Sequence, residues 1–337
     1  MNFKQIIADI KKKVYYSVYL LVGEESYYID EISNFIEKNV LTDIEKEFNQ
    51  TILYGKDTDV ITIVNNAKRF PMMANYQVVI VKEAQNIKDI FDNKNLIHYI
   101  KNPLESTILV LCYKYKKYDK RKVFAKAMSA SKKGITFESK KLYENQIPTW
   151  ISNFLKQKEY SISPKAVVLL SEYLGTDLGK IANEISKLII NVPKNSEITP
   201  EHIEENIGIS KDFNYFELQN ALGKKDIFKA NQIVNYFASN PKEHPLVVTI
   251  SILYIYFSKT LIYHCLNDKS RNNVASVLSI NPYFVKDFQT AYRNYNAKEI
   301  ITVISYIREY DMKSKGVNNI STSGGELLKE LIFKILH

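Results

Sequence analysis

Five short apolar runs, at residues 18–22, 52–54, 78–81, 108–111 and 135–137, alternate with segments of helical spacing, and no other feature constrains the fold as strongly. Strands that alternate with helices predict a mainly parallel sheet in an α/β domain. The first run opens "VYLLVGEESYYIDEI", residues 18–32, in which an apolar strand meets Gly23 and is followed by the helical spacing of Tyr28, Ile32 and Phe35. Strand, tight loop and helix in that order are phosphate-loop architecture. If Gly23 is the first glycine of G-x-x-x-x-G-K-[ST], the second glycine, the lysine and the hydroxyl should follow at 28, 29 and 30. The chain has Tyr28, Ile29 and Asp30 there. In a phosphate-loop ATPase a later core strand also ends in an acid that holds Mg²⁺. Here "VVIVKEAQ" ends in Lys82 and Glu83, so a cation stands where the metal ligand belongs. Both halves of the nucleotide site are altered, and the frame is kept without its chemistry.

From about residue 141 the strands stop. Residues 141–209 read as a small domain of short amphipathic helices, with starts at Ser163-Pro164 and Thr199-Pro200 and breaks at Gly175 and Pro193. Residues 210–337 read as a longer all-helical region that includes the apolar segment 245–266. Thr249, Ser251, Ser258, Lys259, Thr260 and His264 interrupt that segment, which predicts a buried bundle helix in place of a membrane span. With 1–140 as the α/β part, the chain divides into three domains.

A chain of 337 residues that is 45% hydrophobic can bury such cores. The opening "MNFKQIIADIKKK" reads as an amphipathic helix and not as a signal peptide, which points to the cytoplasm. Two cysteines, Cys112 and Cys265, are too few for a disulfide framework or a metal site, and both are expected to be buried. His98, His202, His244, His264 and His337 are scattered and form no metal or nucleophile motif, so they are expected at the surface or at helix ends. Glu24 and Glu25 are adjacent and point apart, and acids are favoured at helix starts in any case. No catalytic residue, metal site or cofactor is assigned.

The formal charge is +9, but only Arg69, Arg121, Arg271, Arg293 and Arg308 among the 46 basic residues are arginine. Lysines supply point charges for phosphate and few forks for reading bases. The densest stretch, residues 114–133, holds nine basic residues and one acid. It reads either as a nucleic-acid-facing patch, through Lys116, Lys117, Lys120 and Lys122, or as a solvated face.

One further stretch is ambiguous on its residues alone. In "RFPMMANYQ", Phe70, Pro71, Met72 and Met73 precede a polar segment and a strand, and they could cap the local core or form an adaptable contact surface.

Taken in order, "YLLVGEESYYIDEI", "AKRFPMMANYQVVIVKEAQ", "LVLCYKYKKYDKRKVFAKAM", "WISNFL", "LSEYLGTDLGKIANEISKL", "ITPEHIEENIG", "FNYFELQNAL" and "IREYDMKSKG" resemble the δ subunit of bacterial DNA polymerase III over some 300 residues. The resemblance implies a degenerate AAA+-like domain that binds no ATP, a helical lid, and a helical collar that assembles with other clamp-loader subunits. It also implies a non-catalytic part of the polymerase holoenzyme that opens the sliding clamp on primed DNA. Carried over by position, Phe70, Met72 and Met73 match the residues that wedge into the clamp, and Pro71 shapes their turn; the second methionine departs from the aromatic more usual there. Two alternatives stay open. One is an active ATPase or small-molecule kinase with a diverged loop. The other is a sister subunit of the δ′ type, whose zinc module and Ser-Arg-Cys trigger have no counterpart here.

Overall fold

The computed structural model describes every residue except Met1, Lys117 and Ile320. The chain separates into two units, residues 1–142 and 143–337.

The five apolar runs become β1 (Val18–Gly23), β2 (Gln50–Tyr54), β3 (Gln77–Lys82), β4 (Thr107–Lys114) and β5 (Gly134–Ser139). They form one parallel sheet in the order β2-β3-β4-β1-β5. Parallel neighbours need crossover connections. These are built with α1 (Phe3–Lys11), α2 (Ser26–Asn39), α3 (Asp43–Asn49), α4 (Val60–Ala67), α5 (Lys94–Lys101) and α6 (Val123–Ala130). Alternate strand residues feed two separate cores. Val18, Leu20, Val22, Val79, Val81, Leu109 and Leu111 pack with α4, α5 and α6, while Tyr19, Leu21, Val78, Ile80, Ile108 and Val110 pack with α1 and α2. Because both faces are covered, β1 is buried at every position, which is why it reads as a continuous apolar run and not as an alternating one.

The second unit is predominantly helical. Its first part holds α7 (Ile147–Gln157), α8 (Pro164–Leu174), α9 (Leu178–Leu188) and α10 (Pro200–Ile207). The starts at 163–164 and 199–200 are as expected: Ser163 and Thr199 are N-caps with proline at the first helical position. Strands do not stop altogether at 141, however. Ser161–Ile162 and Glu197–Ile198 pair in parallel ahead of those caps, a two-residue match too short to leave a periodic signal.

Then follow α11 (Tyr215–Lys224), α12 (Ile227–Ser239), α13 (Leu246–Cys265), α14 (Arg271–Leu278), α15 (Val285–Asn294), α16 (Ala297–Ser314) and α17 (Gly324–Leu336), which share one core. The apolar helix α13 lies within it through Ile250, Leu253, Tyr256, Phe257 and Tyr263, although its length and composition alone would suffice to cross a membrane. One expectation fails in this unit. Cys265 is exposed, because it closes α13 on the side away from the core, whereas Cys112 lies in β4 and burial pushes its thiol up to about 12. His244, just ahead of α13, is half-buried: its ring stacks on Phe237 with centroids 3.9 Å apart, and burial pushes its pKa down.

Candidate functional site

In parallel α/β sheets, ligands bind at the carboxyl ends of the strands. Here protein groups occupy that edge. Gly23 ends β1 at φ +140, and a Cβ there would come within 1.9 Å of the Ser139 carbonyl oxygen, so the loop is closed tightly against β5. The Gly23 carbonyl accepts from the Tyr115 N–H at 2.9 Å. At the start of α2, where a phosphate would meet backbone N–H groups, the Glu25 side chain is the cap: it is 6% exposed and accepts from the Tyr27 N–H at 2.9 Å. A carboxylate of the chain itself therefore sits at the positive end of this helix.

The residues that replace the phosphate-binding motif have structural partners. Tyr28 packs against Phe3 with centroids 5.0 Å apart, and Ile29 is fully buried. Asp30 pairs with Lys114 at 2.5 Å, across the register that places Gly23 beside Lys114. Lys82, at the metal-ligand position, pairs with Glu37 at 3.0 Å. Burial pulls the Lys82 ammonium down, and Glu37 outweighs this and holds it above its ordinary value. Asp30 and Lys82, two of the residues at the motif positions, are thus each held in an ion pair. No cluster of three His, Cys, Asp or Glu suited to a metal ion exists among the described residues.

The loop between α4 and β3 lies in the same unit, and it resolves the ambiguity over its apolar residues. Phe70 is 76% exposed and Met72 58%, Met73 is fully exposed, and Pro71 is half-buried. They do not cap the local core. The loop backbone is nevertheless fixed. Asn49, at the end of α3 and 1% exposed, accepts from the Met72 N–H at 2.6 Å and donates to the Met72 carbonyl at 2.9 Å and the Glu45 carbonyl at 3.1 Å. The next residue, Met73, takes a left-handed φ of 52°, which is uncommon for a residue with a long side chain. Strain of this kind persists where its surroundings hold it, as the two Asn49 bonds do here. Sequence reasoning missed Asn49, whose partner lies 23 residues away. It also missed the exposed α3 residues Ile44 and Phe48, 78% and 61% accessible, whose i, i+4 spacing was the available signal.

The basic stretch is largely paired internally. Lys120 meets Glu138 at 2.7 Å, Lys122 meets Asp92 at 2.5 Å, Lys133 meets Glu105 at 2.7 Å, and Arg121 meets Asp119 at 3.0 Å. Lys116 donates to the Gln85 carbonyl at 3.3 Å, and Lys117 lies outside the described residues.

Fold and site together define a class of protein: a parallel α/β domain whose first strand-loop-helix unit carries Tyr28, Ile29 and Asp30 at the motif positions, followed by a helical region. Residues 19–140 match the family model described as DNA polymerase III, delta subunit. The chain is 25% identical over 316 residues to the Bacillus subtilis DNA polymerase III subunit delta, covering 91% of this chain and 90% of that protein. It shares its fold with the solved structure of the Bacillus subtilis DNA clamp loader delta protein, at a TM-score of 0.52 and 23% identity over 99% of both chains. The chain is similar to the DNA polymerase III delta subunit, the family that the order of its motifs resembles.

Proposed function

We propose that this protein is the clamp-opening δ subunit of a cytoplasmic clamp loader and acts by binding, without ATP, the sliding clamp that is to be placed on primed DNA. The observation that carries this reading is the apolar tip formed by Phe70, Met72 and Met73, exposed to solvent on a backbone that buried Asn49 holds in place. Exposed apolar side chains on a rigid support lose little conformational freedom on binding, and methionine adapts to the pocket it enters. On this reading the AAA+-like α/β domain is a rigid arm. The ion pairs Asp30–Lys114 and Glu37–Lys82, with the Glu25 cap, keep the arm folded where relatives with an active site would hold nucleotide. Residues 141–209 serve as lid and 210–337 as collar. The collar has an outward stripe suited to neighbouring loader subunits on α13, where Val247, Tyr254 and Ile262 are exposed. The direct test is co-elution of the purified protein with its own sliding clamp: a complex should form without nucleotide, and absence of a complex with or without ATP would overturn the proposal.

ATP at millimolar concentration with Mg²⁺ should give no saturable heat with the isolated protein in calorimetry. The lysine, hydroxyl and acid that hold phosphates and metal are replaced together. A saturable isotherm would restore the ATPase reading.

DNA binding through Lys116, Lys117, Lys120 and Lys122 is the least supported part of the proposal, since Lys120 and Lys122 already have acidic partners. If the four face DNA in the assembled loader, changing them all to glutamate should flatten the salt dependence of loader binding by about 0.9 in log–log slope for each phosphate that they neutralise. An unchanged slope would make the stretch a solvated, ion-paired face.

A further inference from the structure

The helical unit contains a cavity of about 580 Å³ that none of the preceding roles uses. It lies among α7, α8, α11, α13 and α15, and its volume is within the range of small-molecule sites, roughly 300–1,000 Å³. Much of its wall is apolar and aromatic, with Phe216 and Phe284 meeting edge to face at 4.9 Å, and Val168 and Ile255 beside them. Tyr256 is also in the wall; it is 3% exposed, and its Oη has no hydrogen-bond partner among the described residues. Three charged groups line the space: Glu172 on α8, Lys259 on α13 and Asp287 on α15. None of them is in an ion pair with another, and acids outnumber the lysine two to one along the wall. Glu172 also borders a second cavity of about 400 Å³.

We propose that this cavity is a binding site for a small organic ammonium with an apolar or aromatic body, with the Glu172 carboxylate as its charge partner and Phe216 and Phe284 as its ring contacts. Aromatic walls attract cations as well as apolar groups. A carboxylate beside such walls gives the bound cation its counter-charge.

The protonation behaviour of Glu172 agrees with this. Solvent reaches the residue, but the surrounding protein desolvates its carboxylate and pushes the pKa up to about 7. Desolvation likewise pushes Asp287 up and Lys259 down. An ammonium favours the ionised carboxylate, so binding below pH 7 must expel a proton, and affinity should rise with pH through about 7 and level off above it. The other titratable groups around Glu172 are Tyr256, Lys259 and Asp287 in the first cavity and Lys242, Glu243, His244, Tyr173 and Tyr215 around the second. A Glu172→Gln variant separates its proton from theirs.

The test is calorimetry of the full chain with phenethylamine as probe, at pH 6 and pH 8, in two buffers of different ionisation enthalpy. Phenethylamine should bind, and close to one proton should be released at pH 6 and little at pH 8. Glu172→Gln should abolish the release and weaken binding by about tenfold or more, as expected when a charged hydrogen-bond partner is removed. The variant's thermal midpoint, measured in parallel, confirms that it folds. The anionic isostere 3-phenylpropionate should not bind. Absence of phenethylamine binding, equal binding of the anion, or proton release that survives Glu172→Gln would each overturn the proposal.

Discussion

Met72→Ala combined with Met73→Ala should remove most clamp binding and leave the thermal midpoint almost unchanged. Both side chains are largely or fully exposed, so their truncation leaves no cavity, and surface substitutions of this kind usually stay within about 0.5 kcal/mol of stability. In the complex each would lose roughly 1.5–3 kcal/mol of apolar burial, in a small interface where central residues act as hot spots. At roughly 1.4 kcal/mol per tenfold, the double variant should bind about two to four orders of magnitude more weakly. Surface-captured clamp and a melting curve on the same preparation give both quantities. Full clamp affinity in the double variant would remove the tip from the interface.

Asn49→Ala should do something different, because Asn49 supports the tip without belonging to it. Its side chain makes three hydrogen bonds, two to Met72 and one to Glu45, from a position that is 1% exposed. Truncation leaves partners unsatisfied in a place that water reaches poorly, at about 1–3 kcal/mol for each such group. A loss of about 2–4 kcal/mol is expected, and the midpoint of the α/β unit should fall by roughly 5–15 °C at the 2–4 °C per kcal/mol typical of domains near this size. The tip would also lose its fixed backbone, so clamp affinity should drop by about tenfold or more even where the variant is fully folded, since ordering the loop then opposes binding. Calorimetric unfolding together with clamp binding well below the midpoint separates the two effects. An unchanged midpoint and unchanged affinity would show that the Asn49–Met72 bonds support nothing.

The two variants mark where sequence reasoning stops. Apolar periodicity located all five strands of the sheet, and the Ser163-Pro164 and Thr199-Pro200 starts were legible because a cap depends on neighbours only a few residues away. The departure from the phosphate-loop motif was legible for a similar reason: phosphate-binding residues stand at fixed offsets from Gly23, and Tyr28, Ile29 and Asp30 could be checked one by one.

The partners of the replacing residues could not be read, since Asp30 and Glu37 lie on α2 while their partners Lys114 and Lys82 end strands elsewhere in the sheet. Periodicity likewise could not order the strands as β2-β3-β4-β1-β5, because every buried strand of a parallel sheet carries much the same pattern. It gave no sign that Cys265 would be exposed and His244 stacked on Phe237. The sequence by itself determined which segments are strands and helices and which motif residues are replaced, because those properties are set by each residue's type and its near neighbours. Only the tertiary structure decided that Phe70, Met72 and Met73 face solvent on a fixed loop, because exposure depends on which distant surfaces meet, and the bond that fixes this loop joins Asn49 to a residue 23 positions away.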